Sequence, residues 1–133
     1  MGWSPTVALA ISVSLFSSNH RSGSPPSRDD IIQIEQRLRL PDDAPGTLDR
    51  YDRYYAWTVG DDGKEVIYGE LIFVDLLGAG RPPGGMGRIH AVNEKDVPVI
   101  ANGGCGVITF YVDLRRGQRP ALYCNAETPS SSP

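Results

Sequence analysis

The sequence predicts one α+β domain, in which an N-terminal amphipathic helix packs on a four- to five-stranded antiparallel sheet with meander topology. Three observations lead to this class. A capped segment with helical spacing comes first, runs rich in aromatic and β-branched residues follow it, and turns containing glycine or proline separate those runs. One helix followed by consecutive strands is typical of a sheet that has one face covered by the helix.

The 133 residues have the length of a single domain. Residues 1–18 contain a short apolar run that has the length of the hydrophobic part of a secretory signal peptide. Residues 19–27 are rich in Ser, Pro and Gly and predict a disordered linker, and residues 127–133 predict a disordered tail. The folded domain is therefore expected over residues 28–126, in a periplasmic or secreted protein. The alternative is an apolar start without a role in export, because no Lys or Arg precedes the run.

The composition gives no reason to expect nucleic acid or an anionic membrane as a partner. Hydrophobic residues make up 40%, charged residues make up 22%, and the net charge is −3. The apolar run is too short for a stable membrane span. His90 and the two cysteines have no metal-ligand spacing, so we expect no metal and no cofactor.

The helix has a defined start and stop. Ser27 and Asp30 have the spacing of a capping box. Apolar residues follow with helical spacing, namely Ile31, Ile34 and Leu38. Pro41 ends the pattern, so the sequence predicts an amphipathic helix of about three turns.

Two strands follow the helix as a predicted hairpin. A helical turn is expected over residues 47–52, and strands are expected over 54–59 and 65–75 because both runs are rich in aromatic and β-branched residues. The turn signal between them is rich in Gly and Asp. Gly69 within the second strand predicts a bulge, or a place where the helix packs closely.

The next part of the chain alternates between loops and short strands. Residues 76–87 contain five glycines and two prolines and predict a loop. Residues 88–92 predict a short strand and residues 93–96 a turn. Residues 97–100 predict an edge segment, because Pro98 cannot donate a hydrogen bond to a neighbouring strand.

The last strands are predicted to form a hairpin around a three-residue loop at residues 115–117, in which Gly117 adopts the left-handed conformation. The resulting residue pairs are 112–120, 110–122 and 108–124. This register places apolar residues on one face of the sheet, as a half-buried sheet requires.

Cys105 and Cys124 are predicted to form a disulfide at the open end of this hairpin. Regular alternation would put them on opposite faces, but glycines surround Cys105 and allow the chain to curl there: Gly103, Gly104 and Gly106. An exported chain with two cysteines commonly pairs them. The alternative is a thiol enzyme with Cys105 as nucleophile and His90 as its base.

The glycine-rich loop is a candidate binding edge, with backbone amides and arginines that can meet an anion. Its candidate residues are Gly78, Gly80, Arg81, Gly84, Gly85 and Arg88. The two prolines and the strand that follows do not fit a dinucleotide fingerprint, so the alternative is a plain surface loop.

Aromatic residues are dense for so small a sheet. Alternation predicts that Tyr111 and Tyr123 lie on the open face, where they can contact another protein or a small apolar or glycan ligand. The alternative is that these rings pack in the core. Strand carboxylates at Glu70, Asp75 and Asp113 can in principle form an acid–base pair, but we assign no catalytic residue.

Two segments of the sequence, LRLPDDAPGTLDRYDRYYAW and NGGCGVITFYVD with ALYCN, resemble small exported proteobacterial proteins of an uncharacterised family. The resemblance implies a compartment and a size, and it carries no catalytic motif. The order of helix and strands is also similar to that of periplasmic modules that accompany outer-membrane assembly or inhibit proteases.

We therefore expect an exported, non-enzymatic binding or structural module. Its alternatives are a small cone-shaped α+β enzyme with a pocket, and a protein of the protease-inhibitor or immunity type. A perturbed carboxylate or His90 inside a deep pocket would favour the enzyme, and a filled core with a flat aromatic face would favour the binding module.

Overall fold

The computed structural model describes residues 24–77, 85–117 and 119–125, and within them the chain forms one α-helix and one five-stranded sheet. The elements are helix α1 (Arg28–Arg37) and strands β1 (Tyr51–Val59), β2 (Glu65–Phe73), β3 (Ile89–Ala91), β4 (Val107–Val112) and β5 (Tyr123–Cys124). The α+β class is confirmed. The predicted signal-like segment, most of the linker and the tail lie outside the described residues and stay predictions. Within the described part, no helix has the length and apolar character needed to cross a membrane.

Helix α1 begins as its sequence predicts. The Ser27 hydroxyl accepts a hydrogen bond from the Asp30 N–H at 3.1 Å, and the Asp30 carboxylate accepts one from the Ser27 N–H at 2.9 Å. This reciprocal pair is a capping box. The helix ends at Arg37 because Leu38 is already extended. It occupies residues 28–37 and not the N-terminus of the chain, which corrects the predicted position.

The sheet is mixed, which corrects the predicted antiparallel meander. The strand order is β3-β1-β2-β4-β5, and β3 runs parallel to β1 while every other neighbouring pair is antiparallel. The cause is positional. Strand β2 ends beside the start of β1, where Tyr51 pairs with Phe73. A chain that passes from there to the outer edge of β1 runs in the same direction as β1.

Several element boundaries differ from the sequence expectation, and β2 ends at Phe73 rather than at residue 75. Strand β1 starts at Tyr51 rather than at residue 54, and the helical turn before it is a 3-10 turn of three residues, Leu48–Arg50. Residues 97–100 lie outside the sheet. Strand β3 lies at this edge of the sheet instead. Val97 is a buried residue of the connection between β3 and β4.

The face of the sheet that helix α1 covers, here called face A, carries the main core. Its buried residues come from α1 and from alternate positions of β1, β2 and β4: Ile31, Ile34, Tyr51, Tyr55, Trp57, Ile67, Leu71, Ile108, Phe110 and Val112. The helix alone would be marginal in water. Burial of its two isoleucines against this face therefore stabilises both layers.

The opposite face, face B, is partly covered by the connection between β3 and β4. The Thr58 hydroxyl of β1 donates a hydrogen bond to the Glu94 carboxylate at 2.8 Å. The Asn125 side-chain amide donates to the carbonyl oxygens of Ile100 at 2.6 Å and Asn102 at 3.0 Å. This connection gives face B a second set of buried residues, which includes Ala56, Ile72, Val97 and Val107.

The last hairpin follows the predicted register only at its open end. The pair Ile108–Cys124 forms as predicted, but the pairs 110–122 and 112–120 do not form strand. Leu114 packs against the core, and its carbonyl oxygen accepts a hydrogen bond from Arg37 of α1 at 3.5 Å. The chain therefore makes a 3-10 turn over Leu114–Arg116 instead of a tight loop. Gly117 is left-handed, with φ of 67°, as predicted.

The disulfide between Cys105 and Cys124 is present, with Cα atoms 4.4 Å apart. Cys105 lies in a 3-10 turn that precedes β4, and Gly103 and Gly104 adopt positive φ angles of 118° and 55°. These conformations favour glycine. The predicted curl of the chain before β4 is thus confirmed, and it brings Cys105 over the end of β5.

Gly69 leaves room for the Phe110 ring. The strand pairing is regular at Gly69, so the predicted bulge is wrong, and the close neighbour is not the helix but Phe110 of β4. A Cβ atom at this position would overlap the Phe110 ring. We expect Gly69→Ala to lower the free energy of unfolding by about 2 kcal/mol, because added core volume forces the ring off its position.

Urea titration measures this effect, with Gly60→Ala as the control. A Cβ atom at Gly60 would meet its neighbours at 3.4 Å or more, and Gly60 is not at positive φ. Equal losses of unfolding free energy in the two variants would show that the Phe110 ring moves aside without destabilising the protein.

Candidate functional site

A single row of side chains crosses all five strands on face B. Backbone pairing aligns them in the order His90, Tyr54, Glu70, Thr109 and Tyr123. Directly opposed residues on neighbouring strands have Cβ atoms about 5 Å apart. The row therefore places a histidine, two tyrosines and a carboxylate on one continuous surface.

The uncovered part of face B carries three tyrosines, here called the tyrosine surface: Tyr68 on β2, Tyr111 on β4 and Tyr123 on β5. Tyr111 is 57% exposed and Tyr123 is 64% exposed. The Tyr68 and Tyr111 rings stack with centroids 5.1 Å apart. Cys124 follows Tyr123 directly, so the disulfide holds the two-residue strand β5 that presents this ring.

Glu70 lies buried beside the tyrosine surface. Glu70 is 4% exposed, and its Oε1 accepts a hydrogen bond from the Tyr68 hydroxyl at 2.8 Å. Its Oε2 is buried and has no hydrogen-bond partner among the described residues. Burial raises the pKa of Glu70 above its ordinary value, and the hydrogen bond from Tyr68 offsets part of that rise.

The same contact acts on Tyr68. Burial raises the pKa of its hydroxyl, and the hydrogen bond to Glu70 and the negative charges of Glu70 and Glu94 raise it further. Tyr68 therefore stays protonated and donates its proton toward the Glu70 carboxylate.

The raised pKa of Glu70 makes stability depend on pH in a defined direction. Below the ordinary glutamate pKa, both the folded and the unfolded protein are protonated at this position. As pH rises from there to the raised folded pKa, the unfolded state ionises first, so this group lowers the free energy of unfolding. The Glu70→Gln side chain does not ionise. Between acidic and neutral pH, we therefore expect the free energy of unfolding of Glu70→Gln to rise relative to that of wild type by about 1 kcal/mol.

Denaturant titrations of both proteins across that pH range measure the difference. Asp43→Asn, which changes an exposed carboxylate in the turn between α1 and β1, is the control. A difference between wild type and Glu70→Gln that does not change with pH would contradict a buried, desolvated carboxylate.

His90 lies at the other end of the row. Its Nε2 is 3.7 Å from the Asp52 carboxylate, and its ring stacks on Tyr54 with centroids 4.3 Å apart. Asp52 is buried and also accepts a hydrogen bond from the Arg88 N–H at 3.0 Å. The stack on Tyr54 packs the imidazole against the sheet.

The structure describes only part of the predicted binding loop. Gly78, Gly80, Arg81 and Gly84 lie outside the described residues, so the anion-binding prediction stays open for them. The Gly85 carbonyl oxygen accepts a hydrogen bond from Arg50 at 2.9 Å, and the Arg88 carbonyl oxygen accepts one from the Arg53 N–H at 2.8 Å. These contacts attach the end of the loop to β1 and to the 3-10 turn that precedes it.

One enzymatic alternative loses its nucleophile, and two of the three strand carboxylates have cationic partners. Cys105 is bonded to Cys124, so it is not available as a thiol nucleophile for His90. Of the three strand carboxylates considered as an acid–base pair, Asp75 is paired with Arg50 at 2.9 Å and Asp113 with Arg115 at 2.9 Å.

Among the described residues, no group of three or more histidine, cysteine, aspartate or glutamate side chains could hold a metal ion. Sequence reasoning named Glu70 only as a strand carboxylate, and it did not identify Tyr68 and Asp52 as further contributors to face B. Tyr68 and Glu70 are two residues apart in one strand. This spacing in the sequence already indicates that the two side chains share a face. Asp52 was hidden because the start of β1 was placed after it.

Comparisons with protein-family models, with curated proteins and with solved structures find no match to this chain.

Proposed function

We propose that this chain is an exported binding module that holds a partner at its tyrosine surface. The observation that carries the proposal is the pair of exposed rings at Tyr111 and Tyr123 on neighbouring strands, with Tyr68 stacked behind Tyr111. Tyrosine is enriched at the centre of protein interfaces, because a rigid ring offers a large contact area and a polar hydroxyl at low entropic cost.

Two further features support this function. The disulfide is compatible with an oxidising, exported location, because cytosolic thiols are normally kept reduced. It also fixes the strand that carries Tyr123, so little conformational entropy is lost there when a partner binds.

The test uses the full oxidised chain as bait in an extract of exported proteins from its own source. We expect a reproducible partner that is retained by the wild type and lost by about tenfold in Tyr111→Ser/Tyr123→Ser. The matched control is Val99→Ser, which removes an apolar side chain that is 95% exposed outside the tyrosine surface.

Equal retention by wild type and by the double tyrosine variant would contradict the proposal, as would the absence of any reproducible partner. A single partner held through repeated washing would favour the inhibitor or immunity type within the same proposal.

A small enzyme is the second candidate, and Glu70 is the observation that favours it. A buried carboxyl with a raised pKa is typical of a general acid. Glu70 is 4% exposed, so a substrate reaches it only if the residues that cover it move. If the protein is an enzyme, we expect Glu70→Gln to abolish its catalytic activity while partner capture by the tyrosine surface is unchanged.

A further inference from the structure

The described surface of face B combines aromatic rings with carboxylates, and this combination has a defined ligand preference. The Tyr68 hydroxyl donates to Glu70, and Glu94 lies on the connection that crosses the same face. A phenol that donates its proton to a carboxylate becomes more electron-rich, since hydrogen-bonded groups polarise one another. An electron-rich ring attracts a cation to its face.

The unpartnered oxygen of Glu70 is an independent sign of the same preference. Buried polar atoms nearly always have a hydrogen-bond partner, so an orphan carboxylate oxygen needs an explanation. The Tyr68 hydroxyl lies 2.8 Å from the Glu70 carboxylate. A positive charge bound on the Tyr68 ring would therefore be close to this carboxylate and would compensate its charge.

The register of β4 and β5 sets the shape of the site. Thr109 pairs with Tyr123, so Tyr111 and Tyr123 are diagonal neighbours on one face. Diagonal neighbours across an antiparallel pair are about 7 Å apart. Aromatic side chains on diagonal neighbours are close enough to contact one ligand group together.

We propose that the tyrosine surface, backed by the carboxylate of Glu70, binds an arginine side chain presented by a protein partner. The guanidinium group is planar, permanently charged and suited to stacking on aromatic rings. The site is an open face of a sheet, and a side chain carried by a protein can bind there because the surrounding interface supplies the remaining contact area. A small free cation would need a concave pocket.

The charge around the site is consistent with this partner. The chain has a net charge of −3, which favours encounter with a basic surface. Two arginines of the turn after β4, Arg115 and Arg116, both contact Asp113, at 2.9 Å and 3.6 Å, so this one carboxylate compensates part of their positive charge.

This inference rests on the proposed function, and the experiment separates the two. An oligo-arginine peptide, the same peptide with neutral citrulline in place of arginine, and an oligo-lysine peptide are titrated into the full oxidised chain at about pH 8, well above the ordinary pKa of glutamate. Isotope-labelled protein reports the binding site by NMR shifts. We expect the arginine peptide to shift the NMR signals of Tyr68, Tyr111 and Tyr123. The lysine peptide is expected to bind several-fold more weakly, and the citrulline peptide is expected not to bind.

Variants assign the contacts. Tyr111→Leu is expected to weaken arginine binding about tenfold, and Glu70→Gln several-fold. Asp43→Asn, which removes one exposed charge elsewhere, is expected to change it less than twofold. Equal binding of the citrulline or lysine peptide, or an equal loss in Asp43→Asn, would overturn the arginine assignment and leave the binding function standing. If the arginine peptide shifts the signals of other residues only, and the wild-type chain captures no partner, both the arginine assignment and the binding function are overturned.

Discussion

The Cys105→Ser/Cys124→Ser variant is expected to lose about 3 kcal/mol of unfolding free energy relative to the oxidised protein. The bond joins residues 19 positions apart, and closing a loop of that size restricts the unfolded chain by about this amount. Strand β5 has only two residues, so its pairing with β4 contributes little stability without the bond. Chemical denaturation of both proteins under non-reducing conditions gives the difference.

Reduction of the wild type provides the control for the serine side chains, because it removes the bond without changing the sequence. We expect reduced wild type and the double variant to unfold at similar denaturant concentrations. Amide exchange at Tyr123 is expected to accelerate in both. A loss below about 1 kcal/mol in both proteins would contradict the stabilising role of the disulfide.

Glu35→Ala is expected to destabilise the protein by a comparable amount, about 3 kcal/mol. The Glu35 Oε2 accepts a hydrogen bond from Arg53 Nε at 2.7 Å and another from the Tyr55 hydroxyl at 2.6 Å. Both donors belong to buried residues of β1. Truncation leaves a buried guanidinium and a buried hydroxyl without this acceptor, which is among the most costly changes in a folded protein.

Two variants define the source of that loss. Glu35→Gln keeps the shape and one acceptor oxygen, so we expect it to lose about half as much as the alanine variant. Gln36→Ala changes the exposed neighbour on the same helix and is expected to stay within about 0.5 kcal/mol of wild type. Thermal or chemical unfolding compares the three. A Glu35→Ala loss no larger than that of Gln36→Ala would show that α1 is held by its isoleucines alone.

The sequence predicted those features that depend on a few neighbouring residues. The capping box at Ser27 and the left-handed Gly117 follow from local chemistry, and the structure contains both. The disulfide was predictable for the same reason, since the glycines around Cys105 allow the curl that the bond requires. The pairing of Ile108 with Cys124 followed from alternation of apolar residues.

The features that were missed depend on contacts between distant parts of the chain. The parallel pairing of β3 follows from where β2 ends relative to β1, which no local pattern encodes. The extended hairpin was wrong: residues 119–122 do not form strand, and Leu114 packs against the core while its carbonyl oxygen accepts a hydrogen bond from Arg37 of α1. On face B, the contact of Thr58 with Glu94 joins residues 36 positions apart, so the covered and the open parts of that face could not be separated beforehand.

The most direct test of an exported, disulfide-held module is a count of its thiols. The full chain is recovered from the exported fraction of its own source, denatured without reductant, alkylated and weighed intact by mass spectrometry. Our account predicts that no alkyl group is added, because Cys105 and Cys124 are joined to each other. Recovery of the chain only from the reducing cytosol, or of exported chain that carries two alkyl groups, would contradict it.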